Sequence, residues 1–145
     1  MQNLPRFLCL FVVGCISCFA AVAQNKPNIL FIAVDDLRPQ LGCYGQSEMI
    51  TPNIDKLAGQ GVLFNEAYCQ VPTCGASRGS ILTGLWPNSN RFLSFKIRAD
   101  VDAAGVIDLP GWLKQHGYRT ASLGKVYHHS NDNEVSWDEI YRPQS

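Results

Sequence analysis

A chain of 145 residues with 46% apolar and 17% charged residues is sized for one packed domain, and its composition excludes wholesale disorder. Twelve basic residues balance twelve acidic ones. Such a balance offers no footing for nucleic acid or for a charged membrane surface.

Residues 1–23 read as a secretory signal peptide. Arg6 sits in a short start, residues 7–19 are mostly apolar, and Ala21-Val22-Ala23 offers a small-x-small cleavage site before Gln24. The apolar run is too short to span a bilayer comfortably, so no stable membrane association is expected. Val12-Val13-Gly14-Cys15 also resembles a bacterial lipoprotein processing site, which leaves anchoring at Cys15 as a secondary alternative. Export to a periplasm, to the extracellular space or, in an animal, to the lysosomal lumen follows from this reading. Cys9, Cys15 and Cys18 would leave with the signal, and Cys43, Cys69 and Cys74 would remain. An odd number leaves at least one thiol unpaired; Cys74 is the expected one, and an oxidising compartment would permit a Cys43–Cys69 bridge.

Residues 27–34 form a continuous apolar run, the pattern of a strand buried on both faces of a parallel sheet. It ends in Asp35-Asp36, where open α/β sheets place their ligands, and clustered carboxylates suit hard divalent cations. For a lone Asp-Asp pair, a helix cap or solvated turn is the commoner meaning. Residues 37–50 read as loop. Residues 51–58 predict a short helix with Thr51 as cap, Pro52 at the first position and Gly59 to Gly61 as the stop. Residues 62–68 are a second strand candidate.

Residues 71–84, Val-Pro-Thr-Cys-Gly-Ala-Ser-Arg-Gly-Ser-Ile-Leu-Thr-Gly, predict a loop turning into a helix near Cys74. Cys74 then lies in the first turn, where free N–H groups and the dipole attract anions, and Arg78 falls on the same face four residues on. Residues 85–91 read as loop, with Arg91 more often solvated than substrate-bound. Residues 99–106 lack a clear period. Residues 109–116 predict an amphipathic helix closed by Gly117, with Leu109, Trp112 and Leu113 on one face. Residues 118–123 are a third strand candidate, running into Gly124-Lys125-Val126-Tyr127-His128-His129. An ammonium and an imidazole after that strand could join the carboxylates at one sheet edge. Taken singly, each is more often a surface residue. The order strand, helix, strand, helix, helix, strand favours an α/β fold with a mostly parallel sheet flanked by helices. The polar stretch 130–145 carries no strand or stop signal.

Four features in this order resemble the N-terminal part of the type I sulfatases: Ile-Leu-Phe-Ile-Ala-Val-Asp-Asp, Thr-Pro-Asn-Ile-Asp-Lys-Leu, Cys-x-x-x-Arg followed by Leu-Thr-Gly, and Gly-Lys-x-x-His. The three-residue step from Lys125 to His128, with Leu-Pro-Gly-Trp-Leu and Gly-Tyr before it, is similar to the iduronate-2-sulfatase branch. The resemblance implies an alkaline-phosphatase-like fold, with residues 24–145 as the N-terminal part of a truncated catalytic domain. It implies that a maturase, formylglycine-generating or radical-type, oxidises Cys74 to formylglycine. It implies that Asp35, Asp36 and the modified Cys74 bind calcium, that Arg78 and Lys125 hold the formylglycine, and that His128 hydrogen-bonds one of its hydroxyls. The implied substrate is a sulfated carbohydrate, and the implied partners are that substrate and the maturase.

Two positions depart from the pattern. Ala76 replaces the proline of the commonest Cys-x-Pro-x-Arg motif, and His129 stands where the iduronate branch tends to have proline. The resemblance also implies metal and sulfate ligands that lie beyond residue 145, so the chain alone is expected to be inactive and poorly stable. Two alternatives stand beside the sulfatase reading. One is a phosphodiesterase or phosphonate hydrolase of the alkaline-phosphatase superfamily, and the other is a relic without catalysis.

Overall fold

The computed structural model describes residues 26–143. The signal peptide, the Cys15 alternative and Cys9, Cys15 and Cys18 lie outside the described residues. Residues 26–32 belong to one compact unit and residues 33–143 to another.

The helices follow the sequence signals closely. Helix α1 spans Pro52–Gln60, with proline at its first position, where the missing N–H costs nothing. Thr51 holds the cap position without capping: its hydroxyl accepts from Gly42 N at 2.9 Å and donates to Asp55 Oδ1 at 3.0 Å. Helix α2 spans Cys74–Thr83 and stops at Gly84, which takes the left-handed φ of 70° that glycine tolerates. One turn, α3, spans Ala99–Asp102, within a stretch whose sequence showed no period. Helix α4 spans Leu109–Gln115, and Asp108 caps it by accepting from Gly111 N at 3.0 Å.

The sheet departs from expectation. Strands β1, Ala121–Leu123, and β2, Glu139–Tyr141, pair in parallel with Ala121 opposite Glu139 and Leu123 opposite Tyr141. Among the described residues these two strands make the whole sheet. Residues 27–34 and 62–68, expected as strands, join no ladder. A strand buried on both faces needs neighbours at both edges and cover above and below. Among the described residues no strand pairs with residues 27–34, and Leu30 is 81% exposed. The polar stretch 130–145 was expected to be featureless, yet it contributes β2.

Two small cores hold the second unit. Phe92, fully buried, packs with Ala76 and Ala103, against which Val71, Leu85 and Ile97 lean. Leu82, Ala99 and Tyr127 form the other, covered by Val126 and Trp137. Helix α2 contributes to both cores through Ala76 and Leu82. The connection 124–138 between the parallel strands threads past the second core and carries Lys125 and His128.

Phe92 is the largest apolar side chain with no exposure. Phe92→Ala is expected to cost about 3–5 kcal/mol, a substantial fraction of a domain's stability, read as a fall in the urea midpoint.

Candidate active site

Helix α2 starts where its neighbours leave room only for hydrogen. A Cβ on Gly75 would stand 2.2 Å from the Phe95 carbonyl oxygen, so glycine at this position lets the first turn lie against the backbone of residue 95. That contact fixes Cys74, whose Sγ lies 3.2 Å from His128 Nδ1. Phe95 meets the His128 ring edge-on at 6.0 Å, and His129 meets it likewise at 4.8 Å. Burial, followed by the charges of His129, Lys125 and Arg142, holds the His128 imidazole below its ordinary pKa and favours the neutral ring.

Arg78 lies one turn further along α2, with its side chain 11% exposed. Its Nη1 donates to the carbonyls of Lys125 at 2.6 Å and Val126 at 2.9 Å, and its Nη2 donates to Asp35 Oδ1 at 3.0 Å. Lys125 Nζ reaches the other oxygen, Asp35 Oδ2, at 2.5 Å. One carboxylate therefore sits between two cations, and this contact set carries one positive charge in excess. The Lys125 and then the Arg78 hydrogen bonds lower the Asp35 pKa. Asp36 follows in a left-handed conformation, φ 53°, and is exposed.

Asp35, Arg78 and Lys125 form one connected set without a sheet edge at residue 34, with Cys74 on the helix of Arg78 and His128 on the connection that carries Lys125. Asp36 is adjacent in sequence and enters none of these hydrogen bonds. Arg91 turns back on its own loop, its Nε and Nη2 donating to Trp86 O at 3.2 and 2.8 Å. Cys43, Cys69 and Cys74 are all free, so the Cys43–Cys69 bridge is not formed.

Calcium takes six to eight oxygen ligands. Asp35 and Asp36 offer four carboxylate oxygens, and those of Asp35 already serve Arg78 and Lys125. Among the described residues no group of three or more His, Cys, Asp or Glu side chains could hold a metal ion. The described residues by themselves do not fit calcium.

Two residues that the sequence reading passed over shape the site. Arg142 donates to the carbonyls of Tyr127 at 3.2 Å and His128 at 2.9 Å. Asp108 accepts from the Tyr127 hydroxyl at 2.6 Å. A signal for Asp108 was present, since Asp followed by Leu-Pro is a helix start. Nothing in local sequence marks Arg142.

Two cations around one carboxylate, beside a cysteine at a helix N-terminus, make a site directed at anions. Comparison with known proteins agrees: the protein-family pattern described as Sulfatase matches residues 27–139. The chain belongs to the sulfatase family. It is 43% identical over 130 residues to iduronate 2-sulfatase of Mus musculus, covering 85% of this chain and 24% of that protein. It is 42% identical over 111 residues to a sulfatase of Formosa agariphila, covering 72% and 22%. It is 39% identical over 106 residues to N-acetylgalactosamine-6-O-sulfatase of Bacteroides thetaiotaomicron, covering 70% and 20%. The chain therefore spans about a quarter of the length of the curated relatives it matches. Among the described residues, no helix is long and apolar enough to cross a membrane.

The Asp35–Lys125 pair is a third or more exposed on each side, so solvent screens it. A double-mutant cycle with Asp35→Asn and Lys125→Met should give a coupling of roughly 0.2–1 kcal/mol, declining with salt. Because the folded-state pKa of Asp35 is depressed, its contribution is fully present above the ordinary value of 3.8 and is lost as pH falls through the lowered one. Asp35→Asn should remove that part of the acid dependence in urea melts.

Proposed function

We propose that this chain carries the catalytic half-site of a sulfuric ester hydrolase acting on sulfated sugars, with iduronate 2-sulfate as the first substrate to test. The observation that carries the reading is the Asp35 carboxylate shared by Arg78 and Lys125 beside Cys74. A sulfate monoester presents a tetrahedral, anionic group. A guanidinium, an ammonium and the free N–H groups of the first turn of α2 are complementary to it.

Conversion of Cys74 to formylglycine by a maturase is part of the proposal. As a hydrate, that group supplies one hydroxyl to take the sulfuryl group and a second to release it. The Cys74 position suits the conversion, being half-exposed at the first turn. His128 Nδ1 is placed to hold or move a proton at residue 74, and a neutral imidazole can do either. Arg78 and Lys125 offset negative charge that develops at the ester. Asp35 orients both cations by accepting a hydrogen bond from each. Calcium is part of the proposal only with further oxygen ligands: Asp36 would be one donor, and Asp35 a second once an oxygen is released from Arg78 or Lys125. Export is proposed from residues 1–23.

Co-expression with a maturase, followed by mass analysis of the Cys74 peptide and turnover of sulfate esters by a version of the protein extended to the length of its relatives, tests the proposal. An aldehyde at residue 74 and sulfate release lost in Cys74→Ala are expected. Lys125→Ala should lower kcat by roughly 10²–10³-fold, as for removal of one charge-stabilising donor. A thiol retained throughout with no sulfate release would defeat the reading, and preferential turnover of an aryl phosphodiester would transfer it to the related hydrolases.

A further inference from the structure

The carboxyl group that caps α4 makes more hydrogen bonds than a cap needs. Asp108 is 1% exposed. Its Oδ1 accepts from Gly111 N at 3.0 Å and the Ser136 hydroxyl at 2.5 Å, and its Oδ2 accepts from the Tyr127 hydroxyl at 2.6 Å and Asn133 Nδ2 at 2.5 Å. Four neutral donors fill the four acceptor positions of one carboxyl group. Helix capping requires only the Gly111 bond. The other three donors come from the connection 124–138, at residues 127, 133 and 136.

One of the three is next to the candidate proton carrier. The run from Lys125 to His128 is held through its carbonyls, the first two by Arg78 and the last two by Arg142. Tyr127 adds a side-chain anchor in the middle of the run, 4% exposed and packed with Leu82 and Ala99. Burial and then the Asp108 hydrogen bond raise its phenol pKa, so the hydroxyl remains a donor at any physiological pH.

We propose that Asp108 is a positioning residue for the His128 imidazole, acting through the Tyr127 hydroxyl to hold Nδ1 within hydrogen-bond reach of residue 74. The functional meaning of that placement rests on the sulfatase reading; the placement itself does not.

The test is side-chain ¹⁵N NMR of histidine-labelled full chain in its thiol form, without substrate. Tyr127→Phe removes one hydroxyl and keeps the ring. Ser136→Ala removes a different donor from the same carboxyl group without touching the His128 run. The expected result is that Tyr127→Phe abolishes the hydrogen-bonded signature of His128 Nδ1, while Ser136→Ala preserves it despite a comparable loss in melting temperature. If Tyr127→Phe fails to fold, Asp108→Asn, which keeps volume and one acceptor, is read against Ser136→Ala in the same way. An unmoved His128 signal, or equal movement in both variants, overturns the proposal. Since no turnover is involved, failure of the sulfatase reading would show in sulfate release and not in this spectrum.

Discussion

The guanidinium of Arg78 is the interaction on which the site depends. Arginine keeps its charge in proteins and spreads its donors in a rigid fork. Here one terminal nitrogen serves two consecutive carbonyls of the 124–138 connection, and the other serves Asp35. A group this enclosed would carry a large desolvation cost if left uncompensated. Asp35 supplies the counter-charge, so the turn after residue 34 is drawn to α2 by electrostatics and not by a sheet ladder. Lysine in place of Arg78 could not reproduce a planar fork reaching three acceptors.

The same economy governs the loop facing Arg78. Parallel strands β1 and β2 are joined without a long helix, so the carbonyls of the connection lack the partners that regular structure would give them. Side chains supply those partners instead. Arg78 and Arg142 cover the carbonyls from Lys125 to His128, and Asp132 receives the first two N–H groups of α3, from Ala99 and Asp100. Left-handed conformations at Gly124, φ 70°, and Asn133, φ 51°, turn the chain at either end of this region. The result is a loop whose shape is set by buried polar bonds more than by apolar packing.

This explains what could be read from the sequence. Helices α1, α2 and α4 carry local marks: proline at the start, glycine near the stop, small residues after Cys74. Local chemistry suffices there; the gathering of Asp35 and Lys125 was suggested by placing each after a strand, although residues 27–34 form none, and Arg78 joined them only through the family resemblance. Strands 27–34 and 62–68 failed because an apolar run specifies burial, while a strand requires partners that sequence cannot name. The stretch 130–145 failed for the opposite reason. Asp132, Asn133 and Ser136 look like solvated loop residues, yet Asp132 and Ser136 are buried and all three are bonded. Polar residues in a loop show their role only once their partners are known.

Asp35 presents a physical conflict that its exposure resolves. Removing its charge would raise the positive field at Arg78 and Lys125 and so strengthen attraction for an anion. It would also release the Lys125 side chain, with about 2 kcal/mol of rotamer entropy to lose again on binding, while Arg78 stays held by the carbonyls of Lys125 and Val126. A unit charge pair at about 4 Å is worth roughly 1 kcal/mol in water and about 4 at an effective dielectric of 20. With the Asp35 side chain 40% exposed, the electrostatic gain lies toward the smaller figure, and the ordering term is of similar size. Ground-state attraction for an anion is therefore nearly indifferent to Asp35. What the carboxylate does control is the direction in which the two cations point, and on the proposed sulfatase reading a transition state would be more sensitive to that direction than a bound ground state. The carboxylate thus acts as a brace for the cations, and its value lies in geometry and not in net charge.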